Sequence, residues 1–234
     1  MPDTIAPAVR DRLALALDTD DLVYALRVAR DLEPWFGVAK VGLELFSASG
    51  PEVVTALVER DWKVFLDLKL HDIPTTVGKA GRVLGALGAS YVTLHAHGGV
   101  DMLRAGVDGL GLGAEGAGLD PPAAIAVTVL TSDDGAPPHI LGKRVAAAVE
   151  AGCAGIVCST ADVREAKQLA PRLVAVVPGI RLPGTERHDH ARAAAPDEAV
   201  LAGADLLVVG RAVMDARDRV AAAMALAGAV ERVS

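Results

Sequence analysis

Short apolar runs alternate with helix-patterned segments along all 234 residues of the chain, and the alternation occurs eight times. Each run is largely apolar, which is typical of parallel strands that are buried on both faces. Eight strand–helix units over this length predict an α/β fold, a single (β/α)8 TIM barrel. The predicted strands are residues 13–17, 36–41, 62–68, 90–94, 124–130, 155–158, 173–177 and 205–209.

The pattern assigns residues 1–234 to one barrel domain without a linker. A doubly wound open sheet is the alternative fold. That fold does not require eight repeats, and the G-x-G-x-x-G sequence typical of it does not follow the first strand. The Gly-rich segment 111–118 is interpreted as a loose connection rather than a phosphate loop, because no Lys-Ser or Lys-Thr pair follows it. The predicted helices are residues 20–32, 51–59, 74–87, 100–110, 140–151, 161–169, 196–202 and 211–230.

The overall charge limits the classes of partner. A net charge of −7 argues against nucleic acid and against a membrane surface, which usually require a basic face. No apolar run approaches the ~18 residues that a membrane span needs, and residues 1–12 have no signal-peptide pattern. Two cysteines, Cys153 and Cys158, fit a reduced core. We therefore expect a cytoplasmic protein that acts on a small molecule.

Charged residues follow the third predicted strand directly. Asp67 and Lys69 are two residues apart, so on a regular strand their side chains point to one face. Asp72 falls where the strand becomes a loop, and Pro74 suits the first turn of a helix. A surface ion pair at a strand end is the alternative, but a fully apolar strand leading into alternating charges favours a functional cluster.

Other polar residues lie at the ends of strands in the same way. In a barrel the carboxyl ends of all strands share one face, and this face holds the active site. Residues far apart in the sequence are therefore expected to line one cavity. These strand-end residues are Asp18, Lys40, Asp67, Lys69, His95, Thr131, Pro178 and Gly210.

The last strand leads into a candidate phosphate site. Gly210 allows a ligand to approach the backbone, and a helix begins at Arg211. The preceding loop adds Arg181, Arg187 and two histidines. An acidic protein needs such a local positive patch to hold a dianion, so a phosphorylated substrate is expected. A surface arginine after a glycine turn is the alternative.

Two lysines and two aspartates, Lys40, Asp67, Lys69 and Asp72, can form an array in which each charge lies between opposite charges. Such neighbours favour the charged form of every member. A protonated lysine held in place is a general acid, and the aspartate beside it repels a substrate anion. The array therefore suits a reaction in which an anionic group leaves and a proton replaces it.

The segment D-L-K-L-H-D-I-P-T-T at 67–76 resembles the D-x-K-x-x-D-I-P-x-T signature of orotidine 5′-monophosphate decarboxylases. The resemblance covers nearly the whole chain in the right order. D-x-K-x-x-D alone also occurs in related barrels acting on sugar phosphates, and the D-I-P-x-T continuation separates the two groups. The other matching segments are L-A-L-D at 15–18, K-V-G at 40–42, V-T-L-H-A-H-G-G at 92–99, V-T-V-L-T-S at 127–132, P-G-I-R at 178–181 and V-V-G-R at 208–211.

The resemblance implies roles for individual residues in the decarboxylation of orotidine 5′-monophosphate to uridine 5′-monophosphate. Lys69 would donate a proton to C6 of the pyrimidine, Asp67 would lie against the substrate carboxylate, and Lys40 and Asp72 would complete the array. No metal and no organic cofactor is expected. The implied substrate-binding residues are Asp18 and Thr76 at the ribose, Thr131 at the pyrimidine edge, Gly210 and Arg211 at the phosphate, with Lys40, Ile73, Pro178, Arg181 and His190.

The resemblance also implies a homodimer in which the segment carrying Asp72 and Thr76 enters the neighbouring active site. One position departs from the family, because His190 stands where the phosphate loop usually has Gln. An imidazole offers one hydrogen-bond donor in place of a carboxamide that both donates and accepts.

Three other functions are alternatives for a chain with these residues. A metal-dependent hydrolase could use the pairs His95 and His97 or His188 and His190, but two nearby lysines would repel a cation. A barrel of the 3-keto-gulonate-phosphate decarboxylase or hexulose-phosphate synthase type would need Mg²⁺, and Ile73-Pro74 argues against it. A barrel that only binds nucleotide would have no use for Asp67 and Lys69.

Overall fold

Eight parallel strands pair in sequence order, and β8 pairs with β1 to close a barrel. A computed structural model of the chain describes residues 5–130, 137, 139–182 and 194–234. The predicted (β/α)8 barrel is confirmed, and the open-sheet alternative is wrong. The strands are β1 Leu13–Ala16, β2 Val38–Gly42, β3 Lys63–Leu70, β4 Tyr91–His95, β5 Ala123–Val127, β6 Gly155–Val157, β7 Val174–Val177 and β8 Leu206–Val209.

Helices surround the strands. Their bounds are α1 Pro7–Arg10, α2 Leu22–Leu32, α3 Leu43–Ser49, α4 Glu52–Val58, α5 Pro74–Gly85, α6 Gly99–Ala117, α7 Ile140–Glu150, α8 Thr160–Leu169, α9 Pro196–Ala202, α10 Arg211–Met214 and α11 Arg219–Glu231, with a short 3₁₀ helix at Ala96–Gly98. The assignment of residues 1–234 to one domain stays a prediction, because the described residues do not cover the whole chain.

The alternation of side chains along the strands decides what lies inside the barrel. One apolar cluster fills its interior, and a larger one lies between the strands and the helices. Because strand side chains alternate between faces, the residue two positions beyond an interior apolar residue also points inward. Above the apolar layer, the inward-pointing residues at the carboxyl ends of the strands therefore line the cavity. The successive inward pairs are Ala16 and Asp18, Val38 and Lys40, Phe65 and Asp67, Val176 and Pro178, and Val208 and Gly210.

Three segments of the structure differ from the sequence prediction. The segment 111–118 is not a loose connection, because α6 continues to Ala117 and ends at Gly118 in the left-handed conformation (φ 68°). The single helix predicted for residues 211–230 is two helices, α10 and α11. The helix α3 after β2 was not predicted; its exposed face carries Leu43 and Glu44, which weakens its apolar periodicity.

The contact of α6 with α5 explains part of the glycine content of α6. An added Cβ at Gly109 would lie 2.2 Å from the Gly78 carbonyl oxygen, and one at Gly85 would lie 2.1 Å from the Leu110 carbonyl oxygen. Only glycine lets two helix backbones approach this closely. Within 111–118 only Gly113 belongs to this packing surface, which positions α5 and the residues that precede it.

We expect Gly109→Ala to lower the free energy of unfolding by about 3 kcal/mol, because its Cβ meets backbone that has nowhere to move. Gly111→Ala in the same helix is the matched control. A Cβ there meets nothing within 4 Å, so this change should stabilise the protein by about 0.4–1 kcal/mol. Urea unfolding of both variants measures the difference, and equal effects would contradict the packing explanation.

Two further observations bear on the sequence expectations. Cys153 and Cys158 are buried and free, and burial raises the pKa of each thiol to about 12, so both act as neutral core side chains.

None of the helices in the described part of the chain is long and apolar enough to cross a membrane.

Candidate active site

A cavity of about 220 Å³ opens at the carboxyl ends of the strands. Its floor is apolar, with Ala16, Phe65 and Val208 among the residues, and its rim is charged. Residues from β1, β2, β3, β7 and β8 and from the positions that follow them meet here, although they are up to 195 positions apart in sequence (Ala16 to Arg211). The predicted site residues that line it are Asp18, Lys40, Asp67, Lys69, Pro178, Arg181, Gly210 and Arg211.

Four of these side chains form a continuous array of alternating charge. Lys40 Nζ donates to Asp18 Oδ1 at 3.0 Å and lies 3.8 Å from Asp67 Oδ2, while Lys69 Nζ donates to Asp67 Oδ1 at 2.8 Å. Lys40 is only 8% exposed, and a buried ammonium requires such carboxylate partners. Within the protomer the fourth member is Asp18, and Asp72, which the resemblance brings from the neighbouring chain, stays a prediction.

The approach of Lys69 to Asp67 depends on an irregularity of β3 that its sequence does not predict. The predicted strand ended at residue 68, but β3 continues to Leu70, and its register against β4 shifts between Leu66 and Leu70. Lys69 has φ of +51°, the left-handed region that non-glycine residues rarely adopt. The two side chains therefore meet across a bulge, not by regular alternation along a strand.

Gly42 leaves room for this array and was not singled out from the sequence. An added Cβ would lie 3.0 Å from Lys40 Nζ and 3.3 Å from Asp18 Oδ1. Its presence in the segment K-V-G was visible, but only the folded barrel shows what its missing side chain makes room for.

Asp72, Ile73 and Thr76 lie away from the cavity of their own protomer. All three are exposed, and none lines the cavity. Asp72 Oδ1 accepts a hydrogen bond from the Ile73 backbone N–H at 2.6 Å, and among the described residues it forms no ion pair within 4 Å. Pro74 occupies the first turn of α5, as predicted.

The candidate phosphate end of the cavity is formed by Gly210, Arg211 and Arg181. Because α10 has only four residues, little helix dipole is available there, and the two guanidinium groups supply most of the positive charge. Two predicted site residues, Thr131 and His190, lie outside the described residues, and so do Arg187 and His188.

Three histidines cluster beside the array. The ring centroids of His71, His95 and His97 are 5.4–6.3 Å apart, and Arg144 Nη2 lies 3.2 Å from His97 Nδ1. No group of three His, Cys, Asp or Glu side chains within the described ranges could hold a metal ion. The hydrolase alternative therefore has no support from the pair His95 and His97.

The pKa of His95 is lowered from 6.5 to about 4, mainly by burial and then by the positive charge of Arg144, with smaller effects of His71, His97 and Lys69. The unfolded chain therefore binds this proton at a higher pH than the folded chain does. The stabilisation from neutral His95 is complete above pH 6.5 and is lost as the pH falls towards 4.

We expect the stability of the wild type to fall by about 1 kcal/mol more than that of His95→Gln between pH 7 and pH 4.5, after allowing for solvent screening. Urea unfolding at both pH values measures this difference. His139→Gln, at an exposed position before α7, is the control and should follow the wild type. Parallel pH dependence of wild type and His95→Gln would contradict the assignment.

The fold and the site together define a (β/α)8-barrel protein with a cavity of fixed, alternating charges at the carboxyl ends of its strands. Residues 11–226 match the model of the Orotidine 5′-phosphate decarboxylase / HUMPS family. The chain belongs to this family, which confirms the resemblance seen in its sequence.

Individual relatives agree with this assignment. The chain is 45% identical over 228 residues to an orotidine 5′-phosphate decarboxylase of Anaeromyxobacter sp. (strain K), covering 93% of this chain and 97% of the relative. It is 38% identical over 245 residues to the orotidine 5′-phosphate decarboxylase of Moorella thermoacetica, covering 100% of this chain and 97% of the relative. The crystal structure of orotidine 5′-phosphate decarboxylase from Lactobacillus acidophilus superimposes with a TM-score of 0.80 at 33% identity, covering 94% of this chain and 99% of that chain.

Proposed function

We propose that this protein is a carboxy-lyase that converts orotidine 5′-monophosphate to uridine 5′-monophosphate and carbon dioxide in pyrimidine biosynthesis. The observation that carries the proposal is the array at the cavity, in which the Lys69 ammonium is held 2.8 Å from Asp67. The names of the relatives, at up to 45% identity over nearly the full length, support the same substrate.

The substrate is an anion at both ends, and the cavity offers matching charges. We assign the phosphate to Arg211, Gly210 and Arg181, which line one side of the cavity. Asp18 is half exposed at the rim, where its carboxylate can accept a hydrogen bond from a ribose hydroxyl. Pro178 and the apolar floor leave room for the pyrimidine, whose edge we assign to Thr131, and His190 stays a predicted phosphate-loop contact.

The reaction breaks the bond between C6 and the carboxylate carbon. Carbon dioxide leaves, and the electron pair of the broken bond stays at C6. Lys69 Nζ then gives its proton to C6, and solvent restores the ammonium. Asp67, placed beside the departing carboxylate, destabilises that anion relative to the transition state, and Lys40 and Lys69 offset the charge that develops at C6.

The assay that tests this function follows the loss of orotidine monophosphate absorbance with and without EDTA. Equal turnover in both supports the proposed substrate and the expected independence from a metal. Turnover of a hexulose or gulonate phosphate with Mg²⁺, without turnover of the nucleotide, would favour the sugar-phosphate alternative. Absence of turnover on either substrate would favour the barrel that only binds nucleotide.

We expect Arg211→Ala to lower kcat/KM for the nucleotide by about 10- to 150-fold, the cost of one charge-assisted hydrogen bond at a partly buried position. The nucleoside that lacks the phosphate should react equally slowly with variant and wild type. Both substrates are compared in steady-state assays, and equal losses on the two would mean that Arg211 does not bind the phosphate.

A homodimer with shared active sites is part of the proposal. The exposed segment of Asp72, Ile73 and Thr76 supports it, because these residues carry the family motif yet do not line the cavity of their own chain. Ile73 is 66% exposed, which is costly for an isoleucine that no partner covers. A cytoplasmic location is also proposed, because two free buried thiols fit a reducing compartment.

A further inference from the structure

Thr93 of β4 contacts two members of the charged array at once. Its side-chain oxygen accepts a hydrogen bond from the Lys69 backbone N–H at 2.7 Å and lies 3.2 Å from Asp67 Oδ1. The residue is completely buried. A hydroxyl can accept and donate at the same time, and this position uses both capacities.

The contact to Lys69 takes the place of a strand hydrogen bond. The register between β3 and β4 shifts between Leu66 and Leu70, and Lys69 in this interval has a left-handed backbone. Asp61 is the other non-glycine residue with a positive φ in the described ranges. The partly buried Lys69 backbone N–H donates to the Thr93 hydroxyl, which therefore supplies the acceptor that this N–H needs at the bulge.

The contact to Asp67 uses the proton of the same hydroxyl. Its two acceptors are Asp67 Oδ1 at 3.2 Å and the Leu66 carbonyl oxygen at 3.4 Å. Asp67 Oδ1 also accepts from Lys69 Nζ, so donors from Thr93 and Lys69 both hold this oxygen, while Oδ2 faces Lys40. The carboxylate is therefore fixed in rotation by neighbours on both sides.

We propose that Thr93 is a positioning residue: its hydroxyl holds the bulge that directs the Lys69 ammonium to Asp67, and it orients the Asp67 carboxylate. The functional part of this inference rests on the proposed decarboxylation, in which Lys69 delivers a proton. Thr93 itself does not reach the substrate side of the array. Its loss should therefore affect the chemical step more than substrate binding.

The test compares Thr93→Val, which keeps the shape and removes the hydroxyl, with Thr93→Ser, which keeps the hydroxyl. We expect Thr93→Val to lower kcat about 10- to 100-fold with KM within about threefold of the wild type, because small misplacement of reacting groups has effects of this size. Thr93→Ser should retain kcat to within about threefold. Hydrogen exchange of the Lys69 backbone amide should be slow in wild type and Ser variant and faster in Val variant.

Thr128→Val is the matched control. Thr128 is equally buried, and its hydroxyl donates to the Val157 carbonyl oxygen at 2.7 Å, with no contact to Asp67 or Lys69. This variant should keep both kcat and the protection of the Lys69 amide. A similar loss of kcat in Thr128→Val and Thr93→Val would overturn the proposal, since any buried threonine would then matter equally.

Several other outcomes would also decide whether Thr93 is a positioning residue. A Thr93→Val enzyme with kcat within about threefold of wild type and an unchanged Lys69 amide overturns the proposal, and so does a Thr93→Ser enzyme as slow as Thr93→Val. If Thr93→Val does not fold, the Lys69 amide in wild type and Thr93→Ser decides, because rapid exchange in both excludes the hydrogen bond. If the wild type does not turn over the nucleotide, the proposed function fails, whereas amide exchange in the three proteins still decides whether Thr93 holds the bulge.

Discussion

Lys69→Ala should lower kcat by at least a few thousandfold. The change removes the only ammonium that lies 2.8 Å from Asp67 in the described cavity, and with it the proposed proton donor to C6. It also leaves Asp67, a largely buried carboxylate, with only Lys40 at 3.8 Å as an ionic partner among the described residues. Loss of the proton donor and disturbance of the remaining charges both lower the rate of the chemical step.

The measurement is single-turnover conversion of orotidine monophosphate by the purified variant, with circular dichroism to establish that it folds. Lys63→Ala is the matched control, because Lys63 lies on the same strand at its opposite end, where it pairs with Asp11 on the exposed surface. It should retain wild-type kcat. A Lys69→Ala enzyme that keeps more than about a tenth of wild-type kcat would show that Lys69 is not the proton donor.

Mixing two inactive variants should restore about a quarter of wild-type activity. The variants are Lys69→Ala and Asp72→Ala, combined in equal amounts and allowed to exchange subunits. If each site joins Lys69 of one chain to Asp72 of the other, a mixed dimer has one site with both defects and one with neither. Random pairing makes half the dimers mixed, each with one intact site of two, so about a quarter of all sites should be intact.

A second mixture provides the control. Lys40 and Lys69 contact the same Asp67 within one protomer, so they belong to one site of one chain. Mixing Lys40→Ala with Lys69→Ala should therefore restore nothing. If the mixture of Lys69→Ala with Asp72→Ala also stays inactive while mass-tagged chains show exchange, the shared site is wrong, although the decarboxylase proposal stands.

Much of the fold could be predicted because the information is local. A parallel strand buried on both sides requires an apolar run, and all eight runs became strands with ends within a few residues of the prediction. The helix α6 was not fully predicted, because its residues 111–117 are rich in glycine. Its glycines have low helix propensity, yet the segment is helical, and Gly109 and Gly113 pack against α5 at backbone distance, a contact between segments about thirty residues apart.

The candidate site also has a part that the sequence predicted and a part that it did not. The position of Asp18, Lys40 and Asp67 two residues beyond interior apolar residues follows from strand periodicity, and the cavity they line was predicted. The partners of each charge were not. Asp18 accompanies Lys40 within the protomer, and the segment 92–99, although it resembles the family, did not show which groups the Thr93 hydroxyl contacts.

By itself, therefore, the sequence determined the barrel, the face on which its charges gather and the family to which it belongs. Only the tertiary structure decided which charge meets which, that β3 bulges at Lys69, and that Thr93 satisfies the bulge. The physical reason is that alternation along a strand depends on neighbouring residues alone. Hydrogen bonds between residues 22 to 26 positions apart depend on strand register and backbone twist, which are set only when the barrel closes.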